Sequence, residues 1–167
     1  MVLGHHVLKE RVKELFPFQE PYKIGAASID VTVGTEIIQE GGHKLDITHF
    51  CEENPWIMDP GQFLLVAMSE HVIVPHGLSS LFLLKSTQAR KGMQHMFAGW
   101  IDPGWDGVLT MELKNVNQFT PLPLWPGMPV GQLIYLDTPV SGIYHGRYQN
   151  STGVVGALEE IDYDAGA

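Results

Sequence analysis

Short apolar runs cut by glycine and proline limit what this chain can fold into. Runs rich in Val, Ile, Leu and Phe fall at 28–33, 62–69, 81–84, 108–114 and 129–136. Eighteen glycines and 11 prolines punctuate the 167 residues, so most runs end within one strand length. Several short strands with regular turn signals predict an all-β distorted barrel or jelly roll. No helical pattern long enough for a βαβ crossover separates the runs, which argues against a parallel α/β sheet. One short helix is predicted over 5–16, where Val7, Leu8, Val12 and Leu15 lie near helical spacing and Pro17 and Pro21 stop it.

The length suits one domain over 1–167, with its core at about 25–155 and an acidic, small-residue tail at 159–167 that is expected to fray. Ten basic against 19 acidic residues give a net charge of −9, which argues against a non-specific nucleic-acid binder. No apolar run reaches the length of a membrane span and the N-terminus carries no signal-peptide pattern, so the expectation is a cytoplasmic protein without membrane partners. The single cysteine, Cys51, excludes an intramolecular disulfide. An anionic ligand would need a local cationic pocket, for which Lys85, Arg90 and Arg147 are the candidates.

Polar groups concentrate between Leu84 and Asn115. Ser86-Thr87-Gln88-Ala89-Arg90 follows a strand; two hydroxyls there suit the cap of a short helix, and the N–H groups at such a helix start also suit phosphate. Asp102 precedes Pro103-Gly104, an ordinary turn in which the aspartate bonds its own backbone. Strand alternation puts Leu109, Met111 and Leu113 on one face and Val108, Thr110, Glu112 and Lys114 on the other. By alternation alone Glu112 is a solvated glutamate on an outer face.

These residues, in order, resemble the deaminase branch of the dCTP deaminase and dUTPase superfamily. Its GRSS-x-x-R segment, AGWID-P-G-[WF]-x-G turn and LTLEL strand are matched by Leu84 to Arg90, Ala98 to Gly107 and Leu109 to Leu113. Ala27-Ser28-Ile29-Asp30-Val31 is similar to an early strand of that family, and Leu124-Trp125-Pro126-Gly127-Met128 with Gly131-Gln132-Leu133 to a later one. The resemblance implies a dUTPase-like β fold, a homotrimer with active sites between subunits, and hydrolysis of dCTP to dUTP and ammonia with Mg2+ accompanying the triphosphate. Glu112 would be the general acid/base. Ser86 and the Ala98 carbonyl would hold the attacking water, Arg90 would steady charge, and the segment with Lys85 and Thr87 would hold the triphosphate. Lys85 replaces the usual arginine, keeping the charge and losing the bidentate fork. Asp102 would contact the sugar 3′-hydroxyl.

Trp100 beside Asp102 resembles members that also cleave the triphosphate to dUMP and pyrophosphate. Tyr144, Arg147, Tyr148, Gln149 and Ser151 lie in the stretch similar to the family's closing segment. Ser151 stands where a glutamine would read the base, with Gln149 as the alternative reader, so the base, modified cytosines included, stays open. The other readings are a dUTPase without deaminase activity, against which Glu112 argues, and a non-catalytic nucleotide-binding relative. Zinc deaminases need H-x-E and P-C-x-x-C elements; this chain has neither, so deamination here would be zinc-free. His43, His49 and Cys51 with Asp46, Glu52 and Glu53 match no strong zinc spacing and are expected as exposed loop side chains, and His5 and His6 as solvent-facing.

Overall fold

The computed structural model describes residues 1–18, 23–139 and 142–158. Helix α1 spans His5–Leu15 and buries Leu8, Val12 and Leu15. Val7, expected on that face, is 40 % exposed, because Leu8 already occupies the core side of its turn. Pro17 follows the helix end as expected; Pro21 and the tail 159–167 lie outside the described residues. No helix among the described residues is long and apolar enough to cross a membrane.

The remainder is β. The strands are β1 (Ile29–Gln39), β2 (Lys44–Asp46), β3 (Trp56–Met58), β4 (Phe63–Ile73), β5 (Leu78–Leu84), β6 (Met93–His95), β7 (Trp100–Ile101), β8 (Asp106–Asn115), β9 (Leu122–Leu124) and β10 (Pro129–Asp137), with helix α2 (Ser86–Arg90) between β5 and β6. One antiparallel sheet runs β6-β8-β4-β1-β10-β5-β7, β2 also pairs with β1, and β3 pairs with β9. The long strand β1 joins two halves. Its first residues pair with β10, from Ile29↔Leu133 onward. Its later ones pair with β4, as in Ile37↔Val66. Register shifts within β1 and β4 bend the sheet into the expected distorted barrel. The core fills the concave side with Val31, Val33, Ile37, Leu64, Val66, Met68, Met111, Leu113 and Leu133.

At the bulge in β4, half-buried Glu70 accepts hydrogen bonds from the Thr32 backbone N–H at 2.9 Å and the Thr32 hydroxyl at 2.8 Å. Burial outweighs both bonds and raises its carboxyl above the ordinary value of 4.5. A raised folded-state value favours the protonated form, so the stability that Glu70 contributes is complete in acid and is lost as pH rises through that raised value. Glu70→Gln is therefore expected to gain stability relative to the native chain as pH rises above the ordinary value of 4.5, the gain closing towards zero in acid. Urea midpoints across that range measure it. A difference that does not change with pH would show that Glu70 carries no such penalty.

Candidate active site

The sequence Ile101-Asp102-Pro103-Gly104-Trp105 forms a tight turn because proline and glycine occupy its two central positions. Gly104 has φ +87°, and the Trp105 N–H returns to the Asp102 carbonyl at 3.3 Å. The turn feeds β8, which runs along the floor of a cavity of about 470 Å³. Leu109, Thr110 and Glu112 come from β8, Phe63 and Leu65 from β4, and Trp100, Asp102 and Trp105 from the turn. Residues 142–158 form a strap across the mouth and add Tyr144, Tyr148, Ser151 and Val155. The strap passes close over Gly107, where a Cβ would lie 2.9 Å from the Ser151 nitrogen, and the Val108 N–H donates to the Ser151 carbonyl at 2.7 Å.

Glu112 is not on a solvated face. Its side chain is 28 % exposed and its Oε2 lies 3.1 Å from Nε2 of His95, itself only 10 % exposed. The pairing of β6 with β8, His95 opposite Leu113, brings the two side chains together. The His95 ring packs edge-on against Phe82 at 4.7 Å, which limits its rotation. His95 escaped the sequence reading. Trp105 also lacked a role there. Its ring is 7 % exposed against Tyr144 at 5.4 Å, and its indole N–H has no partner among the described residues.

Asp102 is exposed at the rim and accepts a hydrogen bond from the Trp100 indole at 2.8 Å. Ala98 lines a smaller cavity of about 40 Å³ beside His95 and Thr110. Tyr144, Tyr148 and Ser151 reach the main cavity, whereas Gln149 does not line it. The Gln149 amide donates to the Gly104 carbonyl at 2.7 Å and accepts from the Asp106 N–H at 3.3 Å, which ties it to the turn. The Ser151 hydroxyl donates to the Tyr148 carbonyl at 2.6 Å. Arg147 donates to the Leu158 carbonyl at 3.1 Å, tying the first half of the strap to its last residue.

Among the described residues no lysine or arginine lines the main cavity, and the charged ones that do are Asp102 and Glu112. The cations sit elsewhere. Lys85 lies 2.5 Å from Oδ2 of Asp30 at the end of β5. Arg90 is exposed in the last turn of α2 with Ser86 and Thr87 exposed before it. The expected capping by the hydroxyls is corrected: Lys85 holds the N-cap position and no side chain caps the helix, because the helix begins one residue before Thr87 at Ser86 itself. None of Lys85, Ser86, Thr87 and Arg90 lines the cavity that holds Glu112.

His5 and His6 are exposed, and so are His43, His49, Cys51, Glu52 and Glu53 on their loops. Asp46 accepts from the Thr48 N–H and hydroxyl, and these bonds lower its carboxyl value. Among the described residues no group of three or more His, Cys, Asp or Glu side chains is arranged to hold a metal ion.

The profile of the dCTP deaminase-like family matches residues 3–138. A protein of Acidothermus cellulolyticus named dCTP deaminase, dUMP-forming, is 35 % identical over 158 residues, covering 82 % of each chain. Among solved structures, the 2′-deoxycytidine 5′-triphosphate deaminase from Agrobacterium tumefaciens aligns with a TM-score of 0.65 at 15 % identity, over 80 % of this chain and 48 % of that one. This chain thus spans about half the length of the Agrobacterium protein. The EIAV dUTPase aligns with a TM-score of 0.51 at 17 % identity, over 75 % of this chain and 92 % of that one. At such identities the two structures establish the shared dUTPase-like fold. The profile match over most of the length, together with the Acidothermus relative, establishes that the chain belongs to the dCTP deaminase-like family.

Proposed function

We propose that this protein hydrolyses dCTP to dUTP and ammonia without zinc, and continues in the same site to dUMP and pyrophosphate. The observation that carries the reading is Glu112 withdrawn into an apolar cavity and paired with His95, where a surface carboxylate would face water. A carboxylate so placed suits general acid/base work. Glu112 takes a proton from water held by Ser86 and the Ala98 carbonyl. The resulting hydroxide attacks C4 of cytosine, Glu112 passes that proton to N3 of the ring, and it then carries the proton of the new C4 hydroxyl to the amino group, which leaves as ammonia while C4 becomes a carbonyl. Arg90 stabilises the charge that develops. The second step consumes another water and breaks the bond between the α- and β-phosphates. Trp100, which bonds Asp102, supports this step, as does the dUMP-forming name of the Acidothermus relative.

The triphosphate needs cations that the Glu112 cavity lacks. We assign them to Lys85 and Arg90 of a second copy in a homotrimer, with Thr87 beside them and Arg147 on the strap. Mg2+ arrives as part of the substrate, as a charge clamp on the triphosphate. With Gln149 tied to the turn, the base is read by Ser151 and the backbone of β8.

Separate incubations with dCTP and dUTP, measuring ammonia, pyrophosphate and nucleotides, test the proposal. The expected products from dCTP are ammonia, pyrophosphate and dUMP with little dUTP. Stoichiometric dUTP without pyrophosphate would leave a plain deaminase. Pyrophosphate from dUTP alone would leave a dUTPase, and binding without turnover a non-catalytic relative. His95→Asn is expected to lower kcat at least about tenfold while dCTP binding holds, because the histidine fixes the orientation of the base and does not bind substrate. A native kcat in that variant would remove His95 from the site.

A further inference from the structure

The strap over the cavity is pinned at a point outside it. Val155 N–H donates to the Thr110 hydroxyl oxygen at 3.0 Å, inside the cavity wall. One residue earlier, the buried Val154 turns the opposite way and its N–H donates to Oε2 of Glu36 at 2.9 Å. Glu36 lies on β1, separated by 118 residues, and does not line the Glu112 cavity. Its other oxygen, Oε1, is held by Lys44 of β2 at 3.0 Å. The carboxylate is thus divided between an ion pair that orients it and a strap amide that it receives. Gly153 completes the fit: a Cβ there would collide with the Glu36 carboxylate, so a larger residue forces the carboxylate and the strap apart. A carboxylate accepting from a backbone N–H forms a charge-assisted bond, stronger than a neutral one.

We propose that Glu36 is a positioning residue for the reaction at Glu112, fixing the strap so that Tyr144, Tyr148, Ser151 and Val155 wall the nucleotide cavity. The inference rests on the proposed function for its kinetic consequence, while the strap contact itself can be read without turnover. Freeing the strap leaves Glu112 and His95 in place, so it weakens binding of substrate and transition state alike. That pattern raises KM and spares kcat.

Steady-state kinetics on dCTP and amide hydrogen exchange on the full chain test it together. Glu36→Ala is expected to raise KM about tenfold with kcat within about twofold of native, and to speed exchange at Val154 and Val155. Glu36→Gln keeps an acceptor oxygen and is expected to restore most of both. Gly153→Ala alters no residue of β1, forces the Glu36 carboxylate and the strap apart and is expected to reproduce the Glu36→Ala result, which keeps the test open if the β1 variant folds poorly. Native KM and native exchange in Gly153→Ala, or in a folded Glu36→Ala, would overturn the proposal. So would a Lys44→Ala variant that reproduces the KM rise while exchange at Val154 stays native, since the ion pair with β2 would then be the cause. If the native protein turns over no dCTP, the proposed function fails while the exchange result still decides the strap contact.

Discussion

Glu112→Gln is expected to cut ammonia release from dCTP at least about a hundredfold, the low end of what loss of a general base removes. The amide keeps the shape of the side chain and still reaches His95, so the cavity should retain its walls. It cannot take a proton from water, and the chemical step stops there. Triphosphate binding should survive, because the cations assigned to it lie on other elements. Calorimetric titration with dCTP and an ammonia assay on the same preparation separate the two effects. Near-native ammonia release would remove Glu112 from the mechanism and leave its burial beside His95 without a chemical purpose.

Two inactive variants, Glu112→Gln and Ser86→Ala, are expected to restore one another when co-assembled. Glu112 lines the cavity while Ser86 and Arg90 stand exposed on α2, outside it. If a second copy supplies α2 to each cavity, a mixed trimer contains sites with both native residues. Random mixing at equal ratio gives roughly a quarter of the sites a complete set, since each of two independent positions is native half the time in a symmetric ring. Activity should rise from near zero to about that share of native. No recovery from a mixture that light scattering shows to be trimeric would place both residues in one subunit's site. A monomer with full activity would refute shared sites altogether.

The parts of the fold that could be read from sequence are those whose own residues specify them. Helix α1 shows the helical spacing of Leu8, Val12 and Leu15. The cores of β1, β4, β5, β8 and β10 show as apolar runs because each is long enough for a pattern to register. The two- and three-residue strands β2, β3, β6, β7 and β9 do not, since they exist through partners elsewhere in the chain. That is also why His95 was missed. Nothing near residue 95 marks it, and only the pairing of β6 with β8 sets it against Glu112. Motif order singled out Trp100, Asp102, Glu112, Tyr144, Tyr148 and Ser151, which line one cavity, and also Arg147, which does not. It did not separate Gln149, whose amide serves the turn, from Ser151, which faces the cavity. It also left Trp105 as a turn residue, although its ring closes one wall. The placing of Ser86 and Arg90 outside that cavity has no counterpart in the sequence, where they stand 26 and 22 residues before Glu112.

The two tryptophans of the turn meet the same cavity in opposite states of hydration, Trp100 56 % exposed and Trp105 only 7 %. Indole emission moves to shorter wavelength when water is withdrawn from the ring. The protein therefore carries its own optical probe of occupancy. A nucleotide settling against Trp100 would shift emission from that ring to the blue, whereas Trp105 is already dry and would report mainly by quenching. Trp56 and Trp125, the other two of the 4 tryptophans, line no wall of this cavity and supply a steady background. Binding and release can thus be timed on the unmodified chain, with no label placed near the chemistry.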